Sequence, residues 1–419
     1  MSPSSPSPSL EPAAALHQLP DRLDSLHALR GFAALMVVFY HWQFFVGEKV
    51  AHIPFVQSDQ PFYGLLWPAY GYGGMAVDFF FSLSGFIFYW LYAARIAQGG
   101  MSPGKFFVLR CSRLYPLHFA TLWLVLILQS VIRMRFGQYA ICNLNDLPHF
   151  VLHLFFASNW FEKSSWSFNT PVWSVSVECV LYAIFFVVCA RNLRRWWHLL
   201  ALALAGYVLE TSPIGLVGRG MFSFFLGASA YYLLTYLQSR RIALRPWAAA
   251  LTLVAVWAVV IPASKHFPLY HLYREALGNH LLVAGRDVIG FVLLAFSGHL
   301  FEIVAFPATL FCMASIESAH PGCCRRVAFM GDLSYSIYLL HLPLMMLFVA
   351  GAWETGLQGA RCYSPALLLL YLAILLPLAW ASYHYWERPA QTWMRSLLTG
   401  KKPAAREKPT TTSAPPTVS

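Results

Sequence analysis

Ten apolar runs, each about as long as a bilayer is thick, restrict this sequence to one class of fold. They fall at about 29–47, 73–94, 114–132, 172–190, 197–213, 219–238, 247–263, 288–316, 328–350 and 364–386. A hydrocarbon core about 30 Å thick takes roughly 20 helical residues to cross, and inside it every backbone N–H and C=O must find a partner within the protein. The expected fold is therefore all-α, a polytopic membrane protein with about ten transmembrane helices. A composition of 58% hydrophobic and 11% charged residues lies outside that of ordinary soluble domains.

The run at 148–160, PHFVLHLFFASNW, is too short to cross and reads as an interfacial or re-entrant helix. The run at 288–316 is long enough to be tilted or broken near Ser297-Gly298-His299, with Pro307 a second kink point. Residues 23–397 form the expected transmembrane domain. The Pro/Ser-rich stretch 1–22, with no basic n-region or apolar h-region, and the tail 398–419 read as disordered extensions.

Charge sets the orientation. With the N-terminus inside, twenty of the 29 Lys and Arg residues collect on the cytoplasmic side, which places both termini in the cytoplasm. A net charge of +11 is then accounted for by topology, and no nucleic-acid partner is expected. The eight cysteines contain no CxxC pair and no Cys/His spacing suited to zinc, so no metal is expected. Cys142 and Cys362 both fall outside and are possible partners in a disulfide.

Arg30 opens the first apolar run and His41 lies eleven residues on, about 16 Å further along the axis. On the same frame Asp78 and Glu178 sit about 7 and 9 Å below the outer boundary, and His341 climbs about 20 Å from the inner one. Four ionisable groups from four helices thus share one slab in the outer half of the membrane. Charged and titratable groups at that depth are expensive, and their convergence suits a buried acid–base centre. The plainer reading of each is a satisfied core residue. At the cytoplasmic edge, Arg110 and Arg113 are three apart and share a helical face. They are either topology anchors or a clamp for a phosphorylated ligand, since guanidinium forks match phosphate oxygens. Pro116 follows where the helix is expected to begin, and Glu387 is expected to pair with a basic neighbour at the end of the last span.

Six motifs, in order, resemble the acyltransferase-3 family of integral-membrane acyltransferases. They are Arg30 followed by ten residues and His41, GYGGMAVDFFFSLSGF at 71–86, RCSRLYP at 110–116, PVWSVSVECVLY at 171–182, GDLSYSIYLLHLPL at 331–344, and WERP at 386–389. The resemblance implies transfer of an acyl group, most often acetyl, from cytoplasmic acyl-CoA to a hydroxyl of a sugar, envelope glycan or glycolipid precursor, in a multi-pass protein of the plasma (inner) membrane. It implies that His41 is the catalytic histidine with Arg30 its helix partner, that Arg110 and Arg113 hold the CoA phosphates, and that Glu178 is the acidic residue of the Trp-Ser motif. A second acidic residue often follows in that motif, and Cys179 stands here instead. Asp78 or Glu178 would orient His41, and Ser84, Trp173, Ser174, Ser334, Tyr335 and His341 would line the substrate cavity. His41 would act as general base on the acceptor hydroxyl or as a nucleophile forming an acyl-histidine. Buried charge near mid-membrane also suits a secondary transporter or flippase. That alternative expects paired broken repeats, which the sequence lacks.

Overall fold

The computed structural model describes residues 19, 22–160, 166–242, 244–266 and 298–399. Among these, nine helices are long and apolar enough to cross a membrane: α1 (Asp24–Ala51), α2 (Tyr63–Ala97), α3 (Pro103–Phe136), α5 (Val172–Ala190), α7 (Gly215–Ser239), α8 (Pro246–Ser264), α9 (Phe301–Ala319), α10 (Phe329–Thr355) and α11 (Pro365–Leu397). Two shorter helices complete the set, α4 (Leu147–Leu154) and α6 (Trp196–Leu209). These nine agree with the expectation of about ten spans, and the run expected at 197–213 forms the shorter α6. Its run ends in Glu210-Thr-Ser-Pro, where a charge and turn-forming residues stop the helix after 14 residues. The expected break at 297–299 lies partly outside the described residues. What is described there is a π-turn over Phe301–Ala305 followed by Pro307 in the first turn of the regular helix. The expected extensions also lie almost wholly outside the described residues.

Two contacts set the frame around the prospective centre. The first joins α1 to α10. A Cβ on Gly331 would lie 2.1 Å from the His27 carbonyl oxygen, and one on Gly31 would lie 2.3 Å from Met330 Cβ. Only glycine lets the two backbones approach this closely. The second contact caps α1. Its first two N–H groups, from Asp24 and Ser25, each donate at 2.8 Å to the Glu317 carboxylate of α9, and Ser25 Oγ adds a third bond at 2.5 Å. A carboxylate from a neighbouring helix thus satisfies N–H groups that a helix start leaves without partners, and complements the positive end of its dipole.

Helix α3 begins earlier than its apolar run suggests. Ser102 caps it, accepting from the Lys105 N–H, and Pro103 occupies the first turn. Pro116 is consequently interior rather than near the start, and Arg110 and Arg113 stand within the helix. The short α4 is capped by Asp146, which accepts from the His149 N–H at 3.0 Å. That bond holds the Asp146 carboxyl below the usual carboxylate range. Cys142 and Cys362, which the sequence left as possible disulfide partners, are both free. Cys142 instead contacts Thr170 Oγ1, and burial pushes its thiol up to about 11.

Candidate functional site

His41 ends the regular part of α1, and His341 lies midway along α10, fully buried. The tight α1–α10 crossing brings His41 Nδ1 to 2.8 Å from His341 Nε2. The ring planes differ by 3° and their centroids are 5.0 Å apart, so the bonded nitrogens lie between the centroids and the rings meet edge to edge. His341 Nδ1 is 2.6 Å from the Tyr338 carbonyl oxygen one turn back.

Helix α10 is held in place here by what Pro343 removes. Proline has no N–H for the carbonyl four residues earlier, Leu339, and Asn169 Nδ2 donates to that oxygen at 2.9 Å instead. Tyr338 Oη donates to the Pro171 carbonyl at 2.8 Å and lies 2.7 Å from Ser174 Oγ. Tyr371 Oη of α11 donates to the His341 carbonyl at 2.6 Å.

Tyr338 also lines a cavity of about 100 Å³ between α1, α2, α3, α5 and α10. Three arginines, Arg30, Arg110 and Arg113, face into it along with one carboxylate, Glu178. Ser84 Oγ donates to Glu178 at 2.8 Å. The Arg110 guanidinium sits against the rings of Phe88 and Tyr92, 4.9 and 4.8 Å from their centroids, and donates to Tyr92 Oη. Tyr89–Ala93 forms a π-turn in α2, an irregularity often found at functional sites. Arg110 Nε is buried with no hydrogen-bond partner among the described residues. Three guanidinium groups against a single carboxylate leave the cavity with an excess of positive charge, an arrangement that suits an anion.

Of the expected cavity residues, Ser84, Ser174, Ser334 and Tyr335 line this space, whereas Trp173 and His341 do not. Ser334 Oγ bonds the Gly331 carbonyl of its own helix, and Tyr335 Oη reaches the Leu114 carbonyl of α3 at 2.6 Å. The expected role of Asp78 is corrected. Both of its carboxylate oxygens accept from Arg219 of α7, at 2.7 and 2.5 Å, and the bond at His41 Nδ1 is made by His341 rather than by either of them. Trp173 lies under that guanidinium, 5.5 Å from ring centroid to Cζ. Glu178 likewise bonds Ser84, and the ring that contacts His41 Nδ1 is that of His341. Glu387 is buried and accepts from Ser336 Oγ, rather than pairing with a basic neighbour.

Arg219, Tyr92 and Tyr338 escaped the sequence reading. Arg219 carried a usable signal, as a charged residue in the apolar run GLVGRGMF. The two tyrosines carried none, being indistinguishable from the many aromatic packing residues around them.

Comparison with known proteins bears on this site. A family model described as an acyltransferase domain matches residues 23–386, which takes in all six motifs except the last three residues of WERP. "Acyltransferase MdmB" of Streptomyces mycarofaciens is 30% identical over 198 residues, 44% of this chain and 45% of that protein. "Protein 2 in picA locus" of Rhizobium radiobacter is 35% identical over 106 residues, 25% of this chain and 45% of that protein. The matches therefore span about half the length of these curated relatives. No solved structure matches the chain. With the family model covering nearly all of the membrane domain, the chain belongs to the acyltransferase-3 family of integral-membrane acyltransferases.

Proposed function

We propose that the protein transfers a short acyl group, acetyl in the simplest case, from cytoplasmic acyl-CoA to a hydroxyl of a sugar, envelope glycan or glycolipid precursor. The observation that carries the reading is a cavity lined by Arg30, Arg110 and Arg113 together with Tyr338, the residue whose carbonyl bonds the His341 ring that meets His41. The arginines suit the phosphates of CoA. The pantetheine arm then carries the thioester toward the histidines.

In this reading His41 takes the proton of the acceptor hydroxyl as that oxygen attacks the thioester carbonyl. The tetrahedral intermediate collapses with departure of the CoA thiolate, which recovers the proton from the imidazolium. The alternative route forms an acyl-histidine first and passes the acyl group on in a second step. Either route suits a chain in the plasma (inner) membrane with its termini in the cytoplasm, the side on which acyl-CoA is made.

The test is release of free CoA thiol by the detergent-purified full-length protein supplied with acetyl-CoA and a glycan-bearing membrane extract. Wild type should release thiol and label the extract, while His41→Ala should do neither and remain folded. Equal turnover by the two proteins would remove His41 from catalysis, and no thiol release by wild type would refute CoA-dependent transfer.

A further inference from the structure

Two imidazoles joined edge to edge leave a proton to be assigned, and the surrounding atoms assign it. The Tyr338 carbonyl oxygen can only accept, so His341 Nδ1, 2.6 Å away, carries the hydrogen. A neutral imidazole has one N–H, so His341 Nε2 holds a lone pair. The nitrogen 2.8 Å from that lone pair, His41 Nδ1, must then be the donor. It follows that the lone pair of neutral His41 is on Nε2, which has no hydrogen-bond partner among the described residues.

We infer that His341 is the positioning residue of this centre, and that the chain Tyr338 C=O, His341, His41 fixes the tautomer that leaves His41 Nε2 free to act. This is the task an aspartate performs in the familiar Ser-His-Asp arrangement, where holding the wrong tautomer is enough to lose most of the rate. Here a neutral ring backed by a main-chain carbonyl does it, and the carboxylates do not. Asp78 is committed to Arg219 and Glu178 to Ser84. The orientation is rigid because every part of the chain is anchored. The Leu339 and His341 carbonyls are bound by Asn169 and Tyr371, Tyr338 Oη is fixed by Pro171, and the Phe44 ring stacks on His41 with planes 17° apart. The same nitrogen serves either chemical route, since a general base and a nucleophile both need the Nε2 lone pair. Proton movement is accounted for within the pair. When Nε2 takes the acceptor's proton, His41 becomes an imidazolium that still donates from Nδ1 to His341, and returning that proton to the thiolate restores the starting tautomer.

The catalytic importance of this chain rests on the transferase reading, whereas the tautomer does not, and the experiment separates them. Solid-state ¹⁵N NMR of full-length protein labelled at histidine, with His41 assigned by difference against His41→Asn, reads the protonated nitrogen directly. Wild type should show His41 protonated at Nδ1 and bare at Nε2. His341→Gln, whose amide oxygen still accepts from Nδ1, should keep that pattern, and His341→Leu should lose it. In the thiol-release assay, His341→Leu should lower kcat by about 10²–10⁴-fold with the KM for acetyl-CoA unchanged, and His341→Gln should recover most of the loss. A wild-type His41 protonated at Nε2, or a tautomer that His341→Leu leaves unchanged, would overturn the inference whether or not the protein transfers acyl groups. Unaltered kcat in His341→Leu would overturn the positioning role alone.

Discussion

The two arginines of α3 share a helical face and yet stand in different surroundings. Arg110 is packed against Phe88 and Tyr92 and bonded to Tyr92, whereas Arg113 lines the cavity with no hydrogen bond to another described residue. Losing a charge-assisted contact to a phosphate costs about 1.5–3 kcal/mol, roughly a 10- to 100-fold change in binding. Arg113→Ala should therefore raise the KM for acetyl-CoA by about that factor with an unchanged Tm. Arg110→Ala should raise KM and also lower Tm, because it empties an aromatic cage. Equal KM values in wild type and Arg113→Ala would return that arginine to a topological role. The Asp78–Arg219 pair makes a different prediction. Asp78 has no exposed surface while the Arg219 side chain is 30% exposed, so removing the acid leaves a partly buried cation without its counter-charge. Asp78→Asn should cost about 3 kcal/mol, at the low end for a broken buried pair. The double change Asp78→Leu with Arg219→Met should recover much of that loss in a detergent unfolding experiment. At this scale the sequence displayed both charges of the ion pair but not their pairing. The partners are 141 positions apart, and nothing local to either one points to the other.

Among the elements, α1 and α10 do most to build the centre. Eleven residues are about three turns, so Arg30 and His41 lie on one face of α1, one lining the cavity beside Arg110 and Arg113 and the other at His341. The crossing that brings this face to α10 depends on Gly31 and Gly331. Gly331→Ala puts a methyl group 2.1 Å from a main-chain oxygen that cannot rotate away, so the helices must part. The expected cost is about 1–3 kcal/mol of overpacking, together with loss of the 2.8 Å contact between the histidines. Thiol release should fall at least as far as it does in His341→Leu, and recovery of the NMR pattern of wild-type His41 in the Gly331→Ala protein would disprove this account of the crossing. The helices themselves were legible from their apolar runs. Their ends were less so, since α3 starts eleven residues before its apolar run and α6 stops short of its expected end, both under the control of capping and turn residues.

For the whole molecule, orientation is the proposal most open to test. The segment between α9 and α10 carries Arg325, Arg326 and the exposed Cys323, and on the proposed orientation it faces the cytoplasm. A membrane-impermeant maleimide should label Cys323 in inverted vesicles and not in intact cells. Cys142 and Cys362, being buried, should resist labelling from either side until the protein unfolds. Labelling of Cys323 in intact cells would invert the topology and place the arginine-rich cavity out of reach of cytoplasmic CoA. By itself the sequence determined that the chain is helical and membrane-embedded, because runs of apolar residues admit no other way to pair the backbone in lipid. Its ordered motifs also identified the family. A fixed rise per residue also converts position into height along a helix, and that put His41 and His341 at one expected level, where they meet. Rotation about the helix axes and the choice of neighbour were left open, and those are what decide which groups touch. Only tertiary structure could settle that His41 meets a second imidazole rather than a carboxylate, because that contact is made by two helices packing through glycines 300 positions apart.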